Sequence, residues 1–145
     1  FLEVVYDGFE KVLRPFRRWL TPESRLAGVV TWGERVGKEM VFDCRMCGQC
    51  ILHSTGMTCS MSCPKSLRNG PCGGVRSNGN CEVYPKKPCV WVQAYERSQQ
   101  MPTYGHELIK IQPPVNRQLE GTSSWINMLY DIDNKLPDGW VELEE

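Results

Sequence analysis

Eight cysteines grouped within one third of a 145-residue chain are the residues with the clearest chemistry. They are Cys44, Cys47, Cys50, Cys59, Cys63, Cys72, Cys81 and Cys89. The first three follow a C-x2-C-x2-C spacing, and Pro64 directly follows the fifth. A triplet with this spacing wraps one corner of an iron–sulfur cube, and a distant cysteine followed by proline supplies a further ligand. Here twelve residues separate the triplet from the Cys-Pro step, so the match is partial.

Eight thiolates suit two 4Fe-4S clusters with four ligands each, and they also suit two zinc ions with four ligands each. Zinc ribbons usually present CxxC pairs separated by a dozen or more residues, whereas this chain has an evenly spaced triplet. The spacing therefore favours two 4Fe-4S clusters, with zinc as the alternative. We expect Cys44, Cys47 and Cys50 to share one cluster with a distant fourth ligand.

Four disulfides are a third interpretation of an even cysteine count. However, the first forty-three and the last fifty-six residues contain no cysteine. A disulfide framework usually staples the whole of a small chain, so the clustering favours metal. The N-terminus also lacks a basic region followed by an apolar stretch and a cleavage site. We therefore expect a cytoplasmic protein with reduced thiols.

The basic residues among the cysteines include Arg45 inside the triplet, and Lys65 and Arg68 soon after the fifth cysteine. The simpler interpretation is that they are solvated loop charges. The functional alternative is that they raise the potential of a bound cluster or steer docking. His53 is predicted to lie near a metal without binding it or at the surface, and His106 to be structural.

The composition excludes several classes of protein. Lys plus Arg equals Asp plus Glu, seventeen each, so no basic field draws in nucleic acid. The sequence contains no apolar run of about eighteen residues, so no membrane span is predicted. No phosphate-binding glycine loop, serine elbow or histidine-rich metal motif is present. We therefore predict no catalytic residues, and an enzymatic role only as a subunit.

Two helices are predicted before the cysteines. The opening segment FLEVVYDGFEKVLRPFRRWL has apolar residues at three- and four-residue steps, which indicates one apolar helical face. These are Leu2, Val5, Phe9, Val12, Phe16 and Trp19. Pro15 predicts a kink or restart at Arg14. Thr21, followed by Pro22 and an acidic residue, predicts the N-cap of a second helix that runs through about Met40.

Glycines and prolines interrupt the segment from Cys44 to Cys89, which is predicted to be a loop organised by bound metal. A short helix is predicted over Val90 to Gln100, and an extended arm over Ile111 to Arg117. A final helix is predicted after one of three alternative N-caps, and a frayed acidic tail follows it. The N-cap candidates are Thr122, Ser123 and Ser124, and the predicted apolar face is Trp125, Met128, Leu129 and Ile132.

The predicted fold class is therefore small, α-helical and irregular, with little β-structure. A cysteine-rich metal-cluster loop core is flanked by N- and C-terminal helices. We expect a single domain over residues 1–145. It divides into an N-terminal helical arm (1–40), a cysteine-rich metal-binding core (41–92), and C-terminal helices with a tail (93–145).

The phrase CRMCGQCILHSTGMTCSMSCPKSLRNGPCGGV, with CEVYPKKPCVW after it and TSSWIN later, resembles the C-terminal-type domain of bacterial methylenetetrahydrofolate reductases. The resemblance covers about residues 39 to 129. All eight cysteines fall on the cysteine positions of that family. Ser60 stands where relatives often have proline, at a position that is not a ligand.

In that family the domain is fused to, or forms a small subunit beside, a flavin-binding barrel that reduces methylenetetrahydrofolate. The resemblance implies an iron–sulfur accessory subunit of a hetero-oligomer, which relays electrons to a separate barrel subunit or completes it structurally. A cluster module without flavin relays electrons but does not itself reduce a folate. The alternative is a non-redox, zinc-stabilised module that clamps a partner enzyme. The first helix is expected to contribute to partner contact.

Overall fold

The computed structural model describes residues 2–135 and 137–140, and it omits the side chains of several residues in the first helix. Its α-helices are α1 (Leu2–Leu13), α2 (Arg25–Phe42), α3 (Val90–Ser98) and α4 (Ser124–Leu129). Its 3-10 helices are Arg14–Arg18, Leu52–Thr55, Ser60–Ser62, Gly105–Ile109 and Arg117–Leu119. Within the described residues there is no strand, only an isolated antiparallel bridge between Asn80 and Pro88. The predicted small, helical and irregular fold class is confirmed.

The N-terminal helix changes character at its proline. α1 ends at Leu13, and the chain continues as a tighter 3-10 helix with Pro15 in its first turn. The predicted restart at Arg14 is confirmed, because proline has no N–H for an α-helical hydrogen bond. Most of the predicted apolar face of α1 lies outside the described side chains, as does most of the predicted frayed tail.

The N-terminal segment contacts the C-terminal part of the chain at two points. The carboxylate of Glu3 accepts hydrogen bonds from the backbone N–H groups of Thr103 and Tyr104, at 3.1 and 2.8 Å. The hydroxyl of Tyr130 donates to the carbonyl of Arg17 at 2.6 Å, and the Arg17 guanidinium lies over the same ring. Residues far apart in sequence therefore hold the N-terminal helices in place.

The second helix begins later than the sequence predicts. The Ser24 hydroxyl is its N-cap and accepts a hydrogen bond from the Ala27 N–H at 3.1 Å. The carbonyl of Thr21, the predicted cap, instead accepts the Ser24 N–H in the preceding turn. The predicted cap was wrong. Thr21 and Ser24 both have a hydroxyl that can cap a helix, but the residues after Thr21 form a turn, and the helix begins only after Ser24. α2 ends at Phe42, and the left-handed conformation of the next residue, Asp43, directs the chain into the cysteine loop.

The long helix α2 has an unusual distribution of side chains. Its buried residues are Ala27, Glu34 and Lys38, so its inner face includes two charged groups. Six large apolar side chains of the helix are exposed, beside the exposed charges of Arg25, Arg35 and Glu39; they are Leu26, Val29, Trp32, Val36, Met40 and Val41. This arrangement is the reverse of the usual one, in which apolar residues of a helix face the core.

Helix α3 forms the centre of a small apolar core. Cys89, Trp91 and Ala94 are buried together, and Val75, Val92 and Leu108 pack against them. Gly56 has a φ of +60°, and a Cβ atom there would lie 2.4 Å from the Ala94 carbonyl. The absence of a side chain at Gly56 therefore allows the cysteine loop to pack closely on α3. The predicted helix over Val90 to Gln100 is confirmed, although it ends at Ser98.

The C-terminal segment also packs on the cysteine loop. Residues 111–116 have no regular structure, and a 3-10 helix begins at Arg117. Ser123 is the N-cap of α4 and accepts the Ile126 N–H at 3.2 Å. The residues of the predicted apolar face of α4 are half-buried, and Ile132 lies beyond the end of the helix. Asn127 donates to the Gly48 carbonyl at 2.8 Å and lies on the more buried side. The buried residues of α4 are Ser124, Ile126 and Asn127. No helix in the described part of the chain is long and apolar enough to cross a membrane.

Candidate metal centre

The cysteines sort into two groups of four, and each group lines its own cavity. The first cavity is lined by the triplet and the next cysteine in the chain, namely Cys44, Cys47, Cys50 and Cys59. The second is lined by Cys63, Cys72, Cys81 and Cys89. We call these the first and second cysteine sites. The division follows chain order, so the Cys-Pro cysteine belongs to the second site and not to the triplet.

All eight cysteines are free thiols in the structure. Four thiols per cavity fit the donor set of a 4Fe-4S cluster, and they also fit that of a structural zinc ion. Among residues 2–135 and 137–140, no three His, Cys, Asp or Glu side chains already converge in a geometry that would hold one metal ion. The residues thus match a thiolate-ligated metal group in number and kind.

Left-handed turns shape the loop of the first site. Met46 has a φ of +48° and Gly48 a φ of +75°. These turns let the Met46 N–H approach the Cys44 sulfur at 3.4 Å. A Cβ atom on Gly48 would lie 2.3 Å from the Leu119 carbonyl, so glycine is required where the C-terminal segment covers the loop. Gly121 N–H donates to the Met46 carbonyl at 2.8 Å and holds that cover in place.

Within the first site, one pair of thiols is strongly polarised. A hydrogen bond from the Cys44 thiol, helped by the backbone N–H groups of Arg45 and Met61, holds the pKa of Cys59 well below its usual range. The same hydrogen bond, followed by burial, raises the pKa of Cys44. Burial also raises the pKa of Cys47. The backbone donors around Cys59 thus favour a thiolate, the form of cysteine that binds metal.

A buried ion pair lies beside the first site. The Lys38 ammonium is 2.7 Å from the Glu34 carboxylate, and the two residues are 5% and 1% exposed. The Ser124 hydroxyl is 2.8 Å from the Lys38 ammonium and 2.5 Å from the carboxylate, and Ser123 donates to the other carboxylate oxygen. Lys38 also lies 4.6 Å above the centre of the Trp125 ring. This pair escaped the sequence reasoning, although its i, i+4 spacing on a predicted helix was a usable indication.

The three basic residues predicted near the cysteines have different surroundings. Arg45 is exposed and pairs with Asp43 at 3.1 Å. Lys65 is half exposed and pairs with Glu82. Arg68 is only 8% exposed, so it is not a solvated loop charge. Its Nη2 donates to the Gln49 carbonyl at 3.0 Å.

The second site also has a carboxylate in the wall of its cavity. Glu82 lines its cavity and accepts a hydrogen bond from the Cys72 thiol at 3.7 Å. The Gly74 backbone N–H, with Lys65 nearby, lowers the pKa of Cys72. Glu82 packs where a side chain on Gly74 would have to lie, so glycine is required for that approach. Glu82 was missed in the sequence because a single acid in an irregular loop has no distinguishing pattern.

A turn brings the last two cysteines of the second site together. Cys81 N–H donates to the Lys87 carbonyl at 2.9 Å, and Cys89 N–H donates to the Gly79 carbonyl at 3.0 Å. These bonds surround the isolated bridge between Asn80 and Pro88. The backbone therefore positions both thiols without a regular sheet.

The two histidines lie away from both cysteine cavities. His53 Nε2 is 3.3 Å from the carboxylate of Glu107, and its ring packs edge-on against Tyr104. His106 lines a separate cleft of about 740 Å³, together with Arg68 and other residues. Neither histidine is among the residues that line the two cysteine cavities.

A protein-family model described as "Methylene-tetrahydrofolate reductase C terminal" matches residues 25–118. The chain belongs to this family. The match covers more than half of the chain and includes both cysteine sites and the whole of α2. It begins earlier than the resemblance read from the sequence and ends before the TSSWIN segment. Searches of curated proteins and of solved structures gave no match.

Proposed function

We propose that this chain is an iron–sulfur accessory module of a methylenetetrahydrofolate reductase-type complex. The carrying observation is the division of eight free thiols into two cavities of four, within the segment that matches the family. When bound, 4Fe-4S clusters supply one-electron transfer. The cysteines of each cavity hold one cluster, and the surrounding loops exclude water and supply backbone N–H groups.

The partner in this proposal is a separate flavin-binding barrel subunit, to which the module passes electrons. The exposed apolar face of α2 supports such an association. Leu26, Val29, Trp32 and Met40 are each more than half exposed, and they lie along one long helix. A contiguous apolar surface of this kind is typical of protein contact sites. Docking on this face removes it from water while leaving both cysteine sites intact.

Metal and sulfide analysis of the complex tests the cofactor. After anaerobic purification, we expect about eight iron and about eight acid-labile sulfide per chain, as two 4Fe-4S clusters require. Zinc near two per chain without sulfide would instead support the alternative, a non-redox zinc-stabilised interaction module.

Paired variants test the division into two sites. Cys47→Ala and Cys59→Ala are expected to remove the same electron paramagnetic resonance signal and about half of the iron. Cys63→Ala and Cys81→Ala are expected to remove the other signal. If Cys59→Ala and Cys81→Ala instead abolish one common signal, the assignment of four consecutive cysteines to each site is wrong.

A further inference from the structure

Arg68 is a buried cation with unused hydrogen-bond donors. Its guanidinium Nε and Nη1 are buried and have no hydrogen-bond partner among the residues that the structure describes, where Nη2 alone is bonded, to a neutral backbone carbonyl. Leaving two donors of a charged group unsatisfied inside a protein is costly. The sequence places this arginine in an irregular loop, where a solvated position was available. Two donor nitrogens of a buried cation are therefore available to an acceptor or a negative charge.

The same carbonyl places Arg68 beside the first cysteine site. The Gln49 oxygen accepts from Arg68 Nη2 at 3.0 Å and from the Cys47 thiol at 3.5 Å. The guanidinium of Arg68 and the thiol of Cys47 thus donate to the same carbonyl oxygen, which places them close together. The charge of Arg68 also acts on the Cys47 thiol, where it opposes the effect of burial on the pKa.

No acid within the described residues forms an ion pair with Arg68, in contrast to Arg45 with Asp43 and Lys65 with Glu82. Asp133 lies within the field of Arg68, and its Oδ1 is likewise buried without a hydrogen-bond partner among the described residues, but no ion pair joins the two side chains there. The other buried cation near the site, Lys38, is neutralised by Glu34 at 2.7 Å. Arg68 is consequently a buried positive charge near the first site that has no paired acid among the described residues.

We infer that Arg68 is a positioning and charge-compensating residue for an anionic thiolate-ligated cluster in the first cysteine site, and that it makes this site the more easily reduced of the two. The inference rests on the proposed function. Reduction adds one electron and no proton to the cluster, and a low-potential one-electron donor supplies the electron. A fixed buried cation stabilises the added negative charge, whereas the lysines that line the second site, Lys65 and Lys87, are both exposed, and Lys65 is paired with Glu82.

The test is a redox titration of the full chain in complex with its flavoprotein, with dithionite as the reductant and electron paramagnetic resonance as the readout. Cys81→Ala identifies the signal of the first site. Arg68→Gln is expected to make reduction of the first site at least about tenfold less favourable, which is about 59 mV for a one-electron couple. Arg68→Lys keeps the charge and is expected to restore most of the shift.

Arg45→Gln is the matched control, because Arg45 is also beside the triplet but is exposed and paired. It is expected to leave both potentials unchanged. If Arg68→Gln shifts neither potential, or shifts both equally, the inference is overturned while the proposed function stands. Zinc without sulfide in the unmodified complex overturns the proposed function and this inference with it.

A spectroscopic measurement covers the case in which Arg68→Gln does not fold. Arginine labelled with ¹⁵N only in the guanidinium is incorporated into the unmodified chain, and electron–nuclear double resonance is recorded on the reduced first site. We expect a nitrogen coupling that persists in Arg45→Lys and disappears in Arg68→Lys. Absence of that coupling from the unmodified protein would contradict the placement of Arg68 beside the cluster.

Discussion

The buried pair Glu34–Lys38 allows a stability prediction with a defined magnitude. Lys38→Met removes the ammonium and leaves a carboxylate that is 1% exposed. Removing one partner of a buried pair typically costs about 3–5 kcal/mol. Two serine hydroxyls still donate to Glu34, so we expect the lower end, about 3 kcal/mol. Replacing both residues, as in Glu34→Leu with Lys38→Met, is expected to recover most of that loss, since no unpaired charge remains.

The assay is thermal unfolding of metal-loaded protein at fixed pH and metal content. About 3 kcal/mol corresponds to a fall in Tm of roughly 6–12 °C for a chain of this size. The control is Arg117→Met, which breaks an exposed pair of 2.7 Å with Glu120 and is expected to cost less than about 1 kcal/mol. A Lys38→Met variant no less stable than this control would refute the reasoning. So would a double variant much less stable than Lys38→Met alone.

Three further predictions concern packing, docking and pH. Gly56→Ala should lower the free energy of chemical unfolding by about 2–4 kcal/mol, because the φ of Gly56 is +60° and the new Cβ meets the Ala94 carbonyl. Gly79 is also left-handed but lies in open space, so Gly79→Ala should lower it by about 1 kcal/mol. Met40→Glu should weaken co-purification with the flavoprotein at unchanged metal content, and full retention would count against docking on α2. Burial opposes ionisation of Glu107, but hydrogen bonds from Lys110 and Ser54 lower its pKa overall. The contribution of the ionised carboxylate to the free energy of unfolding is therefore complete above pH 4.5 and declines below it. Glu107→Gln should flatten the acid limb of a curve of stability against pH.

Local patterns predicted the helices well. The restart at Arg14 followed from the chemistry of Pro15, and α3 was found from its apolar spacing. The start of α2 was misplaced by three residues, because Thr21 and Ser24 offer the same capping group and only tertiary structure selects one. The most buried residues of α4 were not predicted for a similar reason. Asn127 gains a partner in Gly48 that lies 79 residues away in sequence, which no local pattern contains.

The candidate site was only partly predictable. Cysteine spacing indicated a thiolate-ligated metal segment and joined the triplet to a fourth ligand. It did not show that Cys59 lines the same cavity as the triplet, since eight ligands allow many partitions. The burial of Arg68 was also hidden, because an arginine in an irregular loop is usually solvated and only the covering segments enclose it.

Helix α2 has its apolar stripe and its ion pair on opposite sides, with Glu34 at the wall of the first cysteine cavity. An α-helix with its side chains is about 10–12 Å across. A protein surface seated on the stripe is therefore separated from the triplet by a single helix thickness. The Glu34–Lys38 pair lies within that thickness, so a shift of the helix upon docking would also displace a side chain that lines the cavity of the first four cysteines.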